Sequence, residues 1–394
     1  MTKIINSWNE WDPLRRVILG RPEGTNFPAA EPAWQYDYPD AGYPVGTWGP
    51  FPQEMVEAAH EQIENFASVL RKHGVTVDRP TVHPCMYNRA VSTPDWTQLN
   101  CYGVNNVRDE FLCHGNYLVE GAGCMRARWY EYLNLRPLFE QYFKEDSDLV
   151  WFSAPKPRLT EESYVRNYYY LFHHVWSIDE KKKRFYKAEW QMTEKEPVWD
   201  AADIQRYGKD IFVLHSSVTN KSGLDWLKRM FTPLGIRVHR VEINSTDTLN
   251  DVGAYHPRHI DGPIMPLRPG LAIYCPVEAP RTPELFELFK KNDWELIAAA
   301  EPQFHYNHHL SLSVLPLRGP SWISTNTFSI SPKTVCVQAG ETAYCEQLDK
   351  LGFEVLPIPY EKVVPFGGGL HCSTLDIYRE GKMEDYFPKQ IEGY

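Results

Sequence analysis

One phrase recurs along this chain and constrains its fold more than any other feature. An amphipathic helix with basic residues in its last turn meets a break and passes into a short β run. It appears first over residues 53 to 73, where Met55, Ala59, Ile63, Phe66, Val69 and Leu70 share one face, and Gly74 then leads into Val75-Thr76-Val77. It returns at 136–143 before 149–152, at 224–230 before 236–241, at 285–291 before 294–297, and at 345–351 before 353–356. The breaks fall near residues 74, 147, 235, 293 and 352. Helix-then-strand is also the common grammar of α/β proteins, but five copies signal a repeat architecture. Each copy places one helix behind a small sheet. Five copies closing into a ring would turn equivalent strand ends toward a shared central channel, and catalytic residues are expected at those ends.

Charge and composition narrow the ligand. A chain of 394 residues with a formal charge of -10 is ill suited to nucleic acid or to an anionic membrane, so small molecules are the expected partners. No apolar run is long enough to span a bilayer, and the start, Met1 to Ser7, lacks the apolar stretch of a signal peptide; a cytoplasmic location is expected. The eight cysteines (85, 101, 113, 124, 275, 336, 345 and 372) are scattered with no CxxC pair, as expected of free thiols in a reducing compartment.

One of those thiols sits in a distinctive setting. In Phe366-Gly367-Gly368-Gly369-Leu370-His371-Cys372, three glycines allow a close backbone approach and deliver Cys372 at the end of a turn, the setting of a nucleophile. His371 is its neighbour in sequence, but adjacent residues on an extended chain point to opposite faces, so the partner of the thiol is expected from elsewhere. Four further stretches carry chemistry: 105–112 with Asp109 just before a β run, 197–204 with Asp200 and Asp203, 256–262 with His259 and Asp261, and 321–326. His259 and Asp261, two apart, share a face of a strand. Thiolate, imidazole and carboxylates together suit a planar cationic carbon such as that of a guanidinium: carboxylates clamp its nitrogens, the thiolate attacks, and the histidine moves a proton. His305, His308 and His309 have metal-ligand spacing without an acidic companion, so no metal is expected. Lys181-Lys182-Lys183-Arg184 reads as a solvated charged turn.

Across nearly its whole length the sequence resembles the amidinotransferase family, and its opening is similar to that of cyanobacterial toxin-pathway members such as those of saxitoxin and cylindrospermopsin assembly. The likeness runs through Asn6-Ser7-Trp8-Asn9-Glu10-Trp11-Asp12, Ala154-Pro155-Lys156-Pro157, Asp200-Ala201-Ala202-Asp203, Ser217-Val218-Thr219-Asn220, His259-Ile260-Asp261 and Gly367 to Cys372. The resemblance implies a single catalytic domain over 1–394, built as a five-bladed α/β propeller of the pentein type around a central active-site channel. It implies ping-pong transfer of an amidino group from L-arginine to a primary amine, without cofactor or metal, releasing L-ornithine. By the family's motif Cys372 carries the amidino group, His259 protonates the leaving amine and later deprotonates the incoming one, Asp203 orients His259, and Asp109 and Asp261 hold the guanidinium.

Departures from the glycine-acting members shape the acceptor side. His256-Pro257-Arg258 replaces Asn-Pro-Met, so His256 and Arg258 are expected to meet a larger acceptor, such as an amine of a polyketide-like toxin intermediate. The family's carboxylate-binding arginine aligns with Glu278 and its helper serines with Gly319 and Pro320; Arg281, three residues on, is expected to take the carboxylate. An arginine deiminase-like hydrolase, an arginine:glycine amidinotransferase and a non-catalytic binding protein are the other readings. The long segment 21–52, read as a water-excluding lid, favours transfer over hydrolysis. Pairing into a homodimer is left open.

Overall fold

The computed structural model of the chain describes residues 3–33, 48–243, 259–276, 279–303 and 322–394. Within them the recurrent phrase becomes five three-stranded sheets. In four, two strands form an antiparallel pair, the second leads into a helix, and the helix returns a third strand parallel to the second. These are Phe111–His114, Tyr117–Glu120 and Val150–Ser153; Ile204–Tyr207, Asp210–Leu214 and Arg237–Val241; Ile264–Arg268, Leu271–Tyr274 and Glu295–Ala298; and Phe328–Ser331, Thr334–Gln338 and Glu354–Ile358. Their crossover helices are Arg136–Glu145, Lys221–Phe231, Pro283–Lys291 and Thr342–Lys350. A parallel neighbour lies beyond the reach of a tight turn, so each unit needs such a crossover.

The first sheet follows the same plan but draws on both ends of the sequence. Leu14–Leu19 pairs antiparallel with Thr374–Arg379 and parallel with Thr76–Asp78, the Gln53–Lys72 helix crossing from Leu14–Leu19 to Thr76–Asp78. That helix buries Val56, Ala59, Ile63, Phe66, Ala67 and Leu70, with Met55 and Val69 packed at the margin, as the spacing predicts. Of the segment read as a lid, residues 34–47 lie outside the described residues, while Asn26–Phe27 pairs with Gly49–Pro50 at its base. The basic run 181–184 is not a turn: it lies in the Ile178–Tyr186 helix, which Ser177 caps by accepting from the Glu180 amide.

Alternation along each first strand lets it serve two cores, because successive side chains point to opposite faces. Phe111 and Cys113 pack with Ile18, Leu375, Phe139 and Tyr142, whereas Leu112 packs with Ile204, Val213 and Leu227. Tyr207, Phe212 and Leu214 pack with Ile264, Ala272 and Leu288; Met265 and Leu267 pack with Val335, Val337 and Leu348. Phe328 and Ile330 return to Leu14, Val17 and Phe66. Each sheet thus shares one core with the next, and the succession comes back to the sheet where it began.

Beneath these cores lies a buried network of charge. Arg206 donates to Glu10, to Ser7 Oγ at 2.6 Å, to the Cys113 carbonyl at 2.9 Å and to Asp376 at 2.6 Å. Arg108 and Arg379 also reach Asp376, at 2.9 and 2.8 Å. The network ties the opening motif, through Ser7 and Glu10, to three of the sheets. Removing one member of a buried ion pair leaves an uncompensated charge. Arg206→Met is therefore expected to cost about 3 to 5 kcal/mol of unfolding free energy, read as a lower urea midpoint; a loss below about 1 kcal/mol, the range of a surface pair, would show that the network is not what joins the sheets.

Candidate active site

The residues just ahead of the first strand in each unit come together in space. Asp109 precedes Phe111–His114, Asp200 and Asp203 precede Ile204–Tyr207, His259 and Asp261 precede Ile264–Arg268, Asn326 precedes Phe328–Ser331, and Cys372 precedes Thr374–Arg379. The donor atoms of His259, Asp261 and Cys372 all lie within 4.8 Å of one another. His259 stands 3.8 Å through Nδ1 from Asp109 and 3.3 Å through Nε2 from Asp200. Asn326 supports the thiol from the fifth unit: its Oδ1 accepts from the amides of His371 at 2.8 Å and Cys372 at 3.2 Å.

The glycine run earns its place by contact. A Cβ on Gly367, whose φ is +98°, would fall 2.0 Å from Tyr102 Oη; one on Gly368 would fall 2.5 Å from Cys372 Cβ, and one on Gly369 2.6 Å from Asn326 Oδ1. Tyr102 donates to the Phe366 carbonyl at 2.7 Å and Asn106 at 3.2 Å, fixing the turn that presents the thiol. His259 itself has φ +58°, a left-handed conformation that a side-chained residue adopts at some cost and that clusters at functional sites.

Electrostatics divide the cluster. Burial, and then the nearby charge of Asp261, push the Cys372 thiol up to about 11, against the pull of its hydrogen bond with His259. Burial works against charge on His259, but Asp109, Asp200 and the thiol outweigh it and hold the imidazole well above its ordinary value. Burial raises Asp200 as well, against its hydrogen bond to His259. Asp261 has the opposite balance: burial is outweighed by the hydrogen bond and charge of His371, and its carboxyl lies below the usual range. The resting site therefore pairs a neutral thiol with a protonated imidazole. Thiol, imidazole and carboxylate are also the donors of a zinc site, but Asp261 already receives His371 Nδ1 at 2.7 Å.

The two oxygens of Asp109 differ in their partners. Its Oδ2 takes a hydrogen bond from Arg128, whose fork also grips Glu131 at 2.6 and 2.7 Å, while Oδ1 is buried without a hydrogen-bond partner and faces His259. Such an orphaned acceptor is costly unless a ligand satisfies it.

Three sequence expectations need revision or fall out of view. His259 Nε2 donates its hydrogen bond to Asp200, not to Asp203. Asp203 accepts the hydroxyls of Ser216, at 2.6 Å, and Thr219 on one oxygen, its other oxygen has no partner, and burial pushes it up to about 7. Its geometry is that of a structural acid shaping the turn. Arg281 is committed elsewhere: its guanidinium pairs with Glu242 and donates to the carbonyls of Tyr186 at 3.2 Å and Phe185 at 3.3 Å, and no hydrogen bond or ion pair joins it to the thiol cluster among the described residues. His256, Arg258, Glu278, His305, His308, His309, Gly319 and Pro320 lie outside the described residues. Arg128 was not singled out from the sequence, where nothing separates it from ordinary surface charges; Glu10 lay in the opening motif and Asn326 in the 321–326 stretch, but neither was given a role there.

Comparison with known proteins fits this arrangement. No family model matches the chain. The mitochondrial glycine amidinotransferase of Xenopus tropicalis is 34% identical over 390 residues, covering 97% of this chain and 84% of that protein. The chain belongs to the amidinotransferase family. A second member, the L-arginine:L-lysine amidinotransferase of Pseudomonas savastanoi pv. phaseolicola, is 30% identical over 388 residues, covering 98% of this chain and 97% of its own. Among solved structures, SxtG, an amidinotransferase from Microseira wollei in the saxitoxin biosynthetic pathway, superposes with a TM-score of 0.80 at 31% identity over 97% of this chain and 99% of that one.

The two aspartates of the Asp200 stretch can be told apart by activity. Asp200→Asn should slow amidino transfer about 100- to 10,000-fold, because it takes away the carboxylate that charges and aims His259, whereas Asp203→Asn should cost less than about tenfold. A reversed order would return the orienting role to Asp203.

Proposed function

We propose that this amidinotransferase takes its amidino group from L-arginine, holds it on Cys372 and passes it to a primary amine, releasing L-ornithine. The observation that carries the reading is Asp109 Oδ1, buried without a hydrogen-bond partner and 3.8 Å from His259, whose donor atoms with those of Asp261 and Cys372 all lie within 4.8 Å of one another. A planar guanidinium between the two carboxylates satisfies both, and its central carbon then faces Cys372 Sγ, which lies 3.5 Å from Asp261 Oδ2.

Charge bookkeeping gives the order of events. The empty site holds the thiol neutral, and the Asp261 and Asp109 carboxylates contribute to that after burial. A guanidinium cation entering between them cancels their effect, so the thiol proton leaves to solvent as the cation arrives and net charge is conserved. The thiolate attacks the guanidinium carbon, forming a C–S bond. His259, already protonated, gives its proton to the departing δ-nitrogen as the C–N bond breaks, leaving ornithine and an amidino-cysteine. The neutral imidazole then takes a proton from the incoming amine as that nitrogen attacks the same carbon and the C–S bond breaks. Asp200 holds His259 in line throughout.

The domain reading and the acceptor belong to the same proposal. We take residues 1–394 as one catalytic domain and its five units as the blades of a propeller, supported by the return of the shared cores to the first sheet. An amine of a natural-product intermediate is the preferred acceptor, supported by the similarity to SxtG; glycine and lysine are the competing acceptors that the relatives' names supply.

Quenching the enzyme after incubation with L-arginine should leave an amidino adduct on the peptide containing Cys372, with ornithine released in proportion to added amine, and Cys372→Ala should give neither. Citrulline produced at a rate independent of amine would make the protein a hydrolase, and undiminished ornithine release by Cys372→Ala would eliminate the covalent route.

A further inference from the structure

The opening motif Asn6 to Asp12 has no part in the chemistry above, and His371 was set aside as a partner for the thiol. The structure connects the two. His371 is buried, and its two ring nitrogens face two carboxylates: Nδ1 lies 2.7 Å from Asp261 Oδ2, and Nε2 lies 3.3 Å from Glu10 Oε2. An imidazole so placed satisfies both neighbours only when both of its nitrogens carry hydrogen. Its backbone is fixed too, since its amide donates to Asn326 Oδ1 at 2.8 Å and its carbonyl accepts from Arg108 Nε at 2.9 Å.

We infer that His371 is a positioning residue, an imidazolium bridge from Glu10 to Asp261 that keeps the second guanidinium-clamping carboxylate aimed and charged. It acts through Asp261, and the inference rests on the reading of Asp261 as part of the arginine site. Adjacent residues on opposite faces of the chain then have separate tasks: Cys372 turns to the substrate, and His371 turns beneath it to hold the clamp. Glu10 is the fixed end of the bridge. Arg206 donates to it through side-chain nitrogens and the backbone amide, and Arg108 stands 3.5 Å away. The opening motif is therefore the anchor from which the site is braced.

All charged neighbours bear on the sign of the effect. Asp261 faces His371, His259 and the Cys372 thiol, with Arg108 further off, while Glu10 faces Arg206, Arg108 and His371, and Asp376 lies behind both arginines. Burial drives Asp261 toward the neutral acid, and His371 supplies the leading influences in the other direction. Without the imidazolium, burial prevails, the Asp261 carboxyl titrates at higher pH, and its attraction for a guanidinium is lost sooner as pH falls.

The test compares the pH profile of kcat/KM for arginine in the wild type, in His371→Asn, in Asp261→Asn and in the double variant. The bridge predicts that His371→Asn moves the acid limb upward by about one pH unit or more. It also predicts that the double variant is no slower than Asp261→Asn alone, because the two positions act as one unit. A purely structural histidine would lower the rate at every pH without moving the limb. An unmoved limb, or losses that multiply in the double variant, would overturn the inference. If His371→Asn does not fold, Glu10→Gln, which leaves the imidazole but removes its far carboxylate, should move the limb in the same direction; no movement there would be equally fatal. A wild type that turns over no arginine would remove the reading of the reaction, and the bridge with it, and that outcome is distinct from normal turnover with an unmoved limb.

Discussion

Charge buried without water must be matched by charge, and that requirement shapes this protein from the centre outward. Cys372, Asp109, Asp200, Asp261, Glu10 and Asp376 are all nearly closed off from solvent. A lone carboxylate in such a place would take up a proton or pull the local structure open. Here each has a basic side chain against it: Arg128 on Asp109, His259 on Asp200, His371 on Asp261, and Arg206, Arg108 and Arg379 on Glu10 and Asp376. One oxygen of Asp109, like one of Asp203, is left without a hydrogen-bond partner, and the Asp109 oxygen is where the proposed reaction puts substrate charge.

The repeated sheets make this matching possible. Because every unit begins its first strand at the same place relative to its neighbours, the short segment ahead of that strand reaches the middle from five directions. Asp109, Asp200, His259 with Asp261, Asn326 and Cys372 each arrive on a different unit, so no two adjacent loops have to crowd the same space. Rigid strands directly behind these residues hold them in register, as a preorganised site requires.

Much of this was legible in the residues. The helix-and-strand phrase gave all five crossovers, since amphipathic spacing is a local property that tertiary packing confirms and does not create. Cys372 could be found because glycines in a row have few other uses. The choice between Asp200 and Asp203 could not be made from spacing: both sit on one tight turn, and which carboxylate faces the imidazole depends on Ser216 and Thr219 having claimed the other. The partners of Arg281 could not be read from the sequence for a similar reason, because Glu242 and the carbonyls closing a distant helix take its charge. The bridge through His371 needed a partner 361 residues away in sequence, a contact that no local pattern carries.

The central claim is that Asp109 and Asp261 hold a guanidinium against the sulfur of residue 372, and a crystal structure of Cys372→Ser with L-arginine addresses it without turnover. The account predicts the guanidinium lying between the two carboxylates, one nitrogen on Asp109 Oδ1, with its central carbon about 3 to 3.5 Å from the side-chain oxygen at position 372. Arginine bound elsewhere, with Asp109 Oδ1 still unpartnered, would contradict it.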